Sequence, residues 1–311
     1  MKNALITGSS GFLGRHFRKK LEDDGWGVTP VDIYHKANPM KRIDTRLMDA
    51  RDFFRYYNKY DDSGGNNVDL VIHCAAVVGG RQVTSNEPLR QAVNLELDAA
   101  LFQWALRARP GRVVYISSSA VYPWNLQRFS SKLRLQEVMA PMPLGKGLGR
   151  PDALYGHAKL NGEYLARLAQ AEELQVTVVR PFSGYGADQS EDYPFPAFVR
   201  RARASADPFD VWGDPMQVRD FIHVDDIVDG TLAVAESCFA HPVNLCTGRP
   251  TELGALARMI CKEAGHQPGW IRTVKDKPMG VEWRVGDPAQ MLEFYIPKVS
   301  LEEGIRRAFT D

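Results

Sequence analysis

The feature that most constrains this chain is a glycine loop set between a short apolar strand and a helix. Ala4–Thr7 reads as the strand, Gly8-Ser9-Ser10-Gly11-Phe12-Leu13-Gly14 follows at once, and a helical pattern covers Gly11–Asp23. A chain that turns through glycines into a helix points free N–H groups and the positive end of the helix dipole at one spot, which suits a pyrophosphate. The spacing is GxxGxxG, not the commoner GxGxxG, so the loop alone is weak evidence. Its context narrows the reading. A second β-rich run, Val28–Ile33, carries Asp32 near its end, where a carboxylate can accept from both ribose hydroxyls of an adenosine and repel a 2′-phosphate. That favours NAD over NADP, although Arg15 and Lys36 stand close enough in sequence to offer a 2′-phosphate a partner.

Further strands are expected at Leu70–Cys74, Arg112–Ser117 and Val176–Arg180, with helices at Pro88–Ala108 and Tyr155–Glu172 between them. Such alternation is the pattern of an α/β doubly wound parallel sheet. Pro30 weakens its strand, which the surrounding Val28, Val31 and Ile33 still support. After Arg180 the alternation gives way to prolines and aromatics. A helix is expected over Asp220–Glu236, a strand over Pro242–Cys246, and helices at Leu253–Ala264 and Leu301–Phe309. The division that follows is a cofactor domain of residues 1–180, with 220–246 added, and a smaller substrate lobe of residues 181–219 and 247–311.

Charge nearly cancels, 39 Lys and Arg against 38 Asp and Glu, which argues against a nucleic-acid binder. No apolar run approaches the roughly 18 residues of a membrane span, and no leader pattern is seen, so a cytoplasmic protein is expected. The four cysteines show no CxxC pairing, and neither a disulfide nor a metal site is expected.

Two constellations carry chemistry. Tyr155 and Lys159 stand four apart, one turn along one helix face. An ammonium beside a phenol favours the phenolate, so Lys159 is expected to lower the Tyr155 pKa and ready it for proton transfer. Ser118, in Ser117-Ser118-Ser119, ends the fifth strand and can hold a reacting oxygen toward the tyrosine, although strand-end serines more often form turns. Near the cofactor, Asp49 and Ala50 follow a short third strand, where Asp49 faces either an adenine amino group or solvent. Cys74, Ala75 and Ala76 end the fourth strand with side chains small enough for close approach.

Taken in order, Gly8–Gly14, Asp32, Ala75-Ala76, Asn94, Ser118, Tyr155 with Lys159, and Arg180-Pro181 resemble the extended short-chain dehydrogenase/reductases. Within them the chain is similar to the NAD-dependent epimerase/dehydratase group acting on nucleotide-activated sugars. The resemblance spans nearly the whole chain and implies a Rossmann domain with a smaller C-terminal substrate lobe, bound NAD, and a homodimer formed through the helices at Pro88–Ala108 and Tyr155–Glu172. It assigns Ser118, Tyr155 and Lys159 to catalysis. Gly8, Ser10, Gly11, Phe12, Leu13, Gly14, Asp32, Asp49, Ala50, Cys74, Ala75, Ala76, Asn94, Ser117 and Pro181 fall on the cofactor side, with Asn94 also holding the site together. Arg219 and Arg284 match arginines that bind a sugar-nucleotide diphosphate. Gly80, Ser119, Ser183, Tyr193 and Phe195 complete the substrate side, with Phe182–Phe198 either lining the pocket or forming a structural lid.

The chain also departs from its relatives. GDP-sugar epimerases share a loop like Val77-Val78-Gly79-Gly80-Arg81, but they carry a cysteine where this chain has Ala120. The 4,6-dehydratases carry an Asp-Glu pair where Ser119 and Ala120 stand. Each substitution removes the proton-transfer group that chemistry needs, leaving redox chemistry at one carbinol. A C4 epimerase is the leading expectation and a sugar reductase or dehydrogenase the next. An enzyme of non-nucleotide alcohols or a redox sensor stands behind them. The segment Leu126–Pro151 is longer than the family pattern and reads as a substrate-specific flap.

Overall fold

Successive strand residues point to opposite faces of a sheet, and here both sets are apolar. Leu5, Val71 and Tyr115 enter one buried cluster with Phe53, Leu101 and Trp104. Ile6, Ile72 and Val114 enter another with Phe17, Ile227 and Val243. Strands apolar on both faces need a covering layer on each side, which is the condition for an all-parallel sheet between helices.

The computed structural model describes residues 1–33, 46–56, 68–79, 88–141, 149–274 and 279–310. Seven strands form the main sheet: β1 (Asn3–Thr7), β2 (Gly27–Asp32), β3 (Arg46–Leu47), β4 (Leu70–His73), β5 (Val113–Ile116), β7 (Val176–Pro181) and β12 (Val243–Leu245). Their order is β12-β7-β5-β4-β1-β2-β3, with every neighbouring pair parallel. Helices α2 (Ala50–Tyr56), α3 (Val93–Ala108) and α4 (Ala153–Ala171) cover one face, and α1 (Phe12–Asp23) and α6 (Val224–Glu236) the other. This is the expected doubly wound α/β fold, and its order reverses between β1 and β4. Pro30 sits opposite Ile6 on β1, whereas β3 pairs only with Val31 and Asp32. Proline is thus paired on one side alone, where a missing N–H is tolerated.

The rest of the described chain builds the lobe. A four-stranded sheet runs in the order β13 (Thr251–Glu252), β10 (Val218–Arg219), β15 (Trp283–Gly286) and β6 (Arg134–Leu135). Two-stranded pairs join β8 (Ser183–Tyr185) to β11 (Phe221–His223), and β9 (Phe209–Trp212) to β14 (Ile271–Val274). Helices α5 (Pro194–Arg203), α7 (Leu253–Glu263) and α9 (Leu301–Thr310) pack around Phe195, Phe198, Phe209, Leu256 and Ile305, while the short α8 (Ala289–Leu292) places Met291 against the main sheet.

Two expectations change. The helix drawn over Asp220–Glu236 begins only at Val224, because Phe221–His223 pairs with β8 and His223 caps the helix by accepting from the Asp225 N–H at 3.2 Å. The 126–151 segment, in its described part, is tied to both the lobe and the main sheet: β6 pairs with β15, Trp283 Nε1 donates to the Leu133 carbonyl at 2.9 Å, and Arg180 on β7 donates to the Glu137 carbonyl at 2.8 Å. No helix among the described residues is long and apolar enough to cross a membrane.

Candidate active site

Open parallel sheets bind ligands beyond the carboxyl ends of their strands, where the order reverses. A cleft of about 1330 Å³ lies there. It is lined by the residues that follow β1, β4, β5 and β7 and, opposite them, by the lobe.

On the sheet side the walls are backbone. Gly8 lies at φ +68°, and a Cβ on it would meet the Ala75 nitrogen at 2.6 Å. A Cβ on Gly14 would meet the Gly8 carbonyl oxygen at 2.1 Å. These glycines therefore allow the loop to close against the β4 end and α1 to start beside it. Gly11 caps α1 without a side-chain partner, leaving the first-turn N–H groups to serve an anion. Asp32 accepts from the Ser10 N–H at 2.8 Å, which fixes a carboxylate beside the loop. Arg15, the rival acceptor of a 2′-phosphate, gives its guanidinium to the Asp188 carboxylate and carbonyl at 2.5 Å each. Lys36 lies outside the described residues.

Asp49 and Ala50 line the cleft, but Asp49 already accepts from Arg51 through the backbone N–H, Nε and a terminal nitrogen. Those hydrogen bonds hold its carboxyl below the usual range. Asn94 is buried outside the cleft lining and spends its amide on the Val77 N–H and carbonyl, at 2.6 and 3.0 Å. Its work is to pin the loop after β4. Ser117 lines the cleft yet donates its hydroxyl to the buried Glu163, 2.5 Å away. Glu163 in turn receives Arg180 through two nitrogens at 2.8 and 2.6 Å.

Ser118, Tyr155 and Lys159 meet on the cleft floor. The Ser118 oxygen accepts from the Ala120 N–H at 3.1 Å, so it forms the turn as well as facing the tyrosine. The expected lowering of the Tyr155 pKa is not what its surroundings produce. Burial dominates and pushes the phenol up to about 12, while the Ser118 hydrogen bond pulls it down. Burial likewise holds Lys159 below the usual ammonium range. Ala120 is itself buried and packs its carbonyl against Gly156, so it offers no proton-transfer group.

The lobe side is built from side chains. Arg219 and Arg284 are partners in the parallel register of β10 and β15 and both line the cleft. Arg284 is engaged within the protein: it donates to Asp152 Oδ2 at 2.7 Å and to Gln127 Oε1 at 2.5 Å. Asp152 precedes α4 yet makes no cap of its own, and Ala153 after it sits at φ +58°, a strained conformation for alanine. Tyr193 lines the cleft, Ser183 and Ser119 border it, and Phe195 is mostly core, its ring centroid 4.5 Å from that of Tyr185. Gly80 lies outside the described residues. Sequence reasoning missed Asp152, and also Arg201, which lines the cleft and lies over the Phe198 and Trp212 rings. The only signal for Asp152 is a carboxylate three residues before Tyr155.

A parallel sheet with a glycine cradle, a carboxylate beside it and a Ser, Tyr and Lys floor defines a nicotinamide-dependent enzyme class. The model of the NAD dependent epimerase/dehydratase family matches residues 4–246, and the chain belongs to that family, with NAD as its cofactor. It is 28% identical to dTDP-4-dehydro-6-deoxy-D-allose reductase of Streptomyces bikiniensis, over 94% of this chain and 90% of the relative. It is 27% identical to GDP-mannose 3,5-epimerase 1 of Oryza sativa subsp. indica, over 97% of this chain and 79% of the relative. The NAD complex of UDP-glucose 4-epimerase from Thermus thermophilus shares the fold at a TM-score of 0.82 and 22% identity, covering 99% of this chain and 98% of that one.

Proposed function

We propose that this protein is a nucleotide-sugar epimerase acting at C4 through a keto-sugar. The observation that carries the reading is Tyr155 beside Ser118 on the cleft floor, with Ala120 where relatives of other chemistry need a second proton-transfer group. The residues that would hold NAD are the Gly8–Gly14 loop, Asp32 and the Cys74–Ala76 strand end. NAD supplies a hydride acceptor that returns the hydride within one turnover.

Ser118 hydrogen-bonds the reacting hydroxyl and sets it against Tyr155. Tyr155 takes the hydroxyl proton as the carbinol is oxidised and returns it when the carbonyl is reduced on its other face. Lys159 supplies positive charge beside the phenol, working against the burial that raises its pKa. Arg219 binds the diphosphate, with Arg284 beside it, and Tyr193 and Ser183 border the sugar. Pairing of two chains through α3 and α4 belongs to the same proposal.

A second reading has its own support, since the Streptomyces relative is a reductase of a 4-dehydro sugar. The test is incubation with a panel of nucleotide sugars, followed by proton NMR and absorbance at about 340 nm, where the reduced nicotinamide absorbs. Epimerisation gives a mixture of C4 epimers with no net change in NADH. Stoichiometric loss of added NADH with a 4-dehydro sugar would replace it with reduction.

A further inference from the structure

Beneath the cleft floor lies a buried polar cluster that the reaction above does not use. Asp98, on the inward face of α3, is 1% exposed, and His73 and Tyr115, at the ends of β4 and β5, are fully buried. The Tyr115 hydroxyl donates to Asp98 Oδ2 at 2.6 Å. His73 Nε2 faces Asp98 Oδ1 at 3.4 Å, and neither atom has a hydrogen-bond partner among the described residues. On its other side His73 Nδ1 lies 2.8 Å from the Thr7 hydroxyl, which accepts from the Ala75 N–H. Where the Thr7 hydroxyl gives its proton to Nδ1, the Nε2 proton is directed at Asp98. Burial keeps His73 neutral. Asp98 thus meets one phenol donor and the edge of the His73 ring.

The cation facing this cluster is Lys159, whose Nζ stands 4.9 Å above the centre of the Tyr115 ring. Lys159 is 2% exposed, and an ammonium at such depth needs an opposite charge. The titratable groups around it allow few choices. Glu163, one turn further along α4, is taken by Arg180 and Ser117. Cys74 is a thiol that burial raises to about 12. Tyr155 and Tyr115 are phenols that burial also raises, and His73 is neutral. Asp98 is the anion left, and its field reaches Lys159 across a phenol ring made more electron-rich by donating to that same carboxylate.

We propose that Asp98 is the counter-charge that keeps Lys159 an ammonium at the floor of the cleft, a positioning residue that acts on Tyr155 only through Lys159. The inference rests on the Tyr155 and Lys159 reading above. Thr7 and His73 tie Asp98 to the strand ends beneath the glycine loop, so one network registers the cofactor cradle against the catalytic helix.

Asp98→Asn keeps the size and one acceptor for Tyr115, removes the charge and puts an amide N–H where the second oxygen faced His73. Two readouts test it in the full-length protein. In competitive acetylation with acetic anhydride, followed by peptide mass spectrometry, Lys159 of the variant should react roughly tenfold faster near neutral pH, because its proton is lost earlier. Unchanged Lys159 reactivity overturns the proposal. In thermal unfolding, Asp98→Asn should lower Tm in the wild-type background and raise it when combined with Lys159→Met, where Asp98 would be the unpaired charge. If Asp98→Asn alone does not fold, the double variant should fold. An equal loss in both backgrounds, or failure of both to fold, makes Asp98 a structural residue only and overturns the proposal. Wild-type turnover by Tyr155→Phe would instead sink the functional reading and leave the acetylation result standing.

Discussion

The two walls of the cleft are made differently. On the sheet side the wall is backbone: Gly8 and Gly14 are close-packed against neighbouring main chain, with Asp32 beside the loop. On the lobe side the wall is made of side chains from strands far apart in sequence, with Arg219 and Arg284 brought abreast by β10 and β15. The first wall is set by one short run of residues, whereas the second exists only once the lobe is folded. A wall of main chain suits an invariant cofactor, and a wall of side chains can be retuned for different substrates without disturbing the other.

Substitutions separate the walls from the floor between them, taken in order of effect. Tyr155→Phe removes the proton carrier and touches neither wall. It should cut kcat by about 10²- to 10⁴-fold, while NAD affinity measured by fluorescence titration and nucleotide-sugar affinity measured by calorimetry stay near wild type. Loss of either affinity would mean that floor and walls are not separable. Arg284→Ala should act on the lobe and on stability together. It removes the Arg284 ion pair from the buried Asp152, which costs about 3 kcal/mol in chemical denaturation. Arg219→Ala should instead raise the nucleotide-sugar KM by about tenfold or more and leave Tm nearly unchanged. Gly14→Ala drives a Cβ into the Gly8 carbonyl and should cost about 1–3 kcal/mol. It should weaken NAD binding without altering binding of the nucleotide sugar. A Gly14→Ala protein with normal NAD affinity would remove the backbone wall from the argument.

What can be read in advance follows the same division. The sheet strands are apolar on both faces and bounded by glycines and small residues, so periodicity and loop chemistry reveal them without knowledge of the rest. Phe221–His223 reads as part of the following helix because nothing local marks a strand whose partner is Ser183–Tyr185. Arg219 and Arg284 are legible by resemblance, but not the Arg284 bond to Asp152, which joins positions 132 apart in the chain. Asp98 is silent for a different reason. The apolar residues of its helix define the inward face, and a carboxylate on that face carries no signal until the structure shows that it is buried and what surrounds it. The expected lowering of the Tyr155 pKa is not met: spacing identifies the pair, but only the folded environment shows that burial raises the phenol.

The smallest effect comes from repeating the ion-pair chemistry of Arg284 and Asp152 at the surface. Arg249, in the chain between β12 and β13, donates to Glu302 on α9 at 2.9 and 2.7 Å. The geometry rivals that of the buried pair, yet the side chains are 49% and 51% exposed against 14% and 7%. Arg249 holds the Glu302 carboxyl down to about 2 from a usual 4.5. A lowered carboxylate contributes stability that is present above its usual pKa and is lost as pH falls through the folded value. Solvent screens this pair, so its contribution stays under about 1 kcal/mol. Glu302→Gln should therefore lower Tm slightly at about pH 7, with the gap closing as pH falls from 4.5 toward about 2 and also closing in high salt. A drop as large as that of Arg284→Ala would mean that geometry, not burial, sets the strength of these bridges, and the division between walls would lose its physical basis.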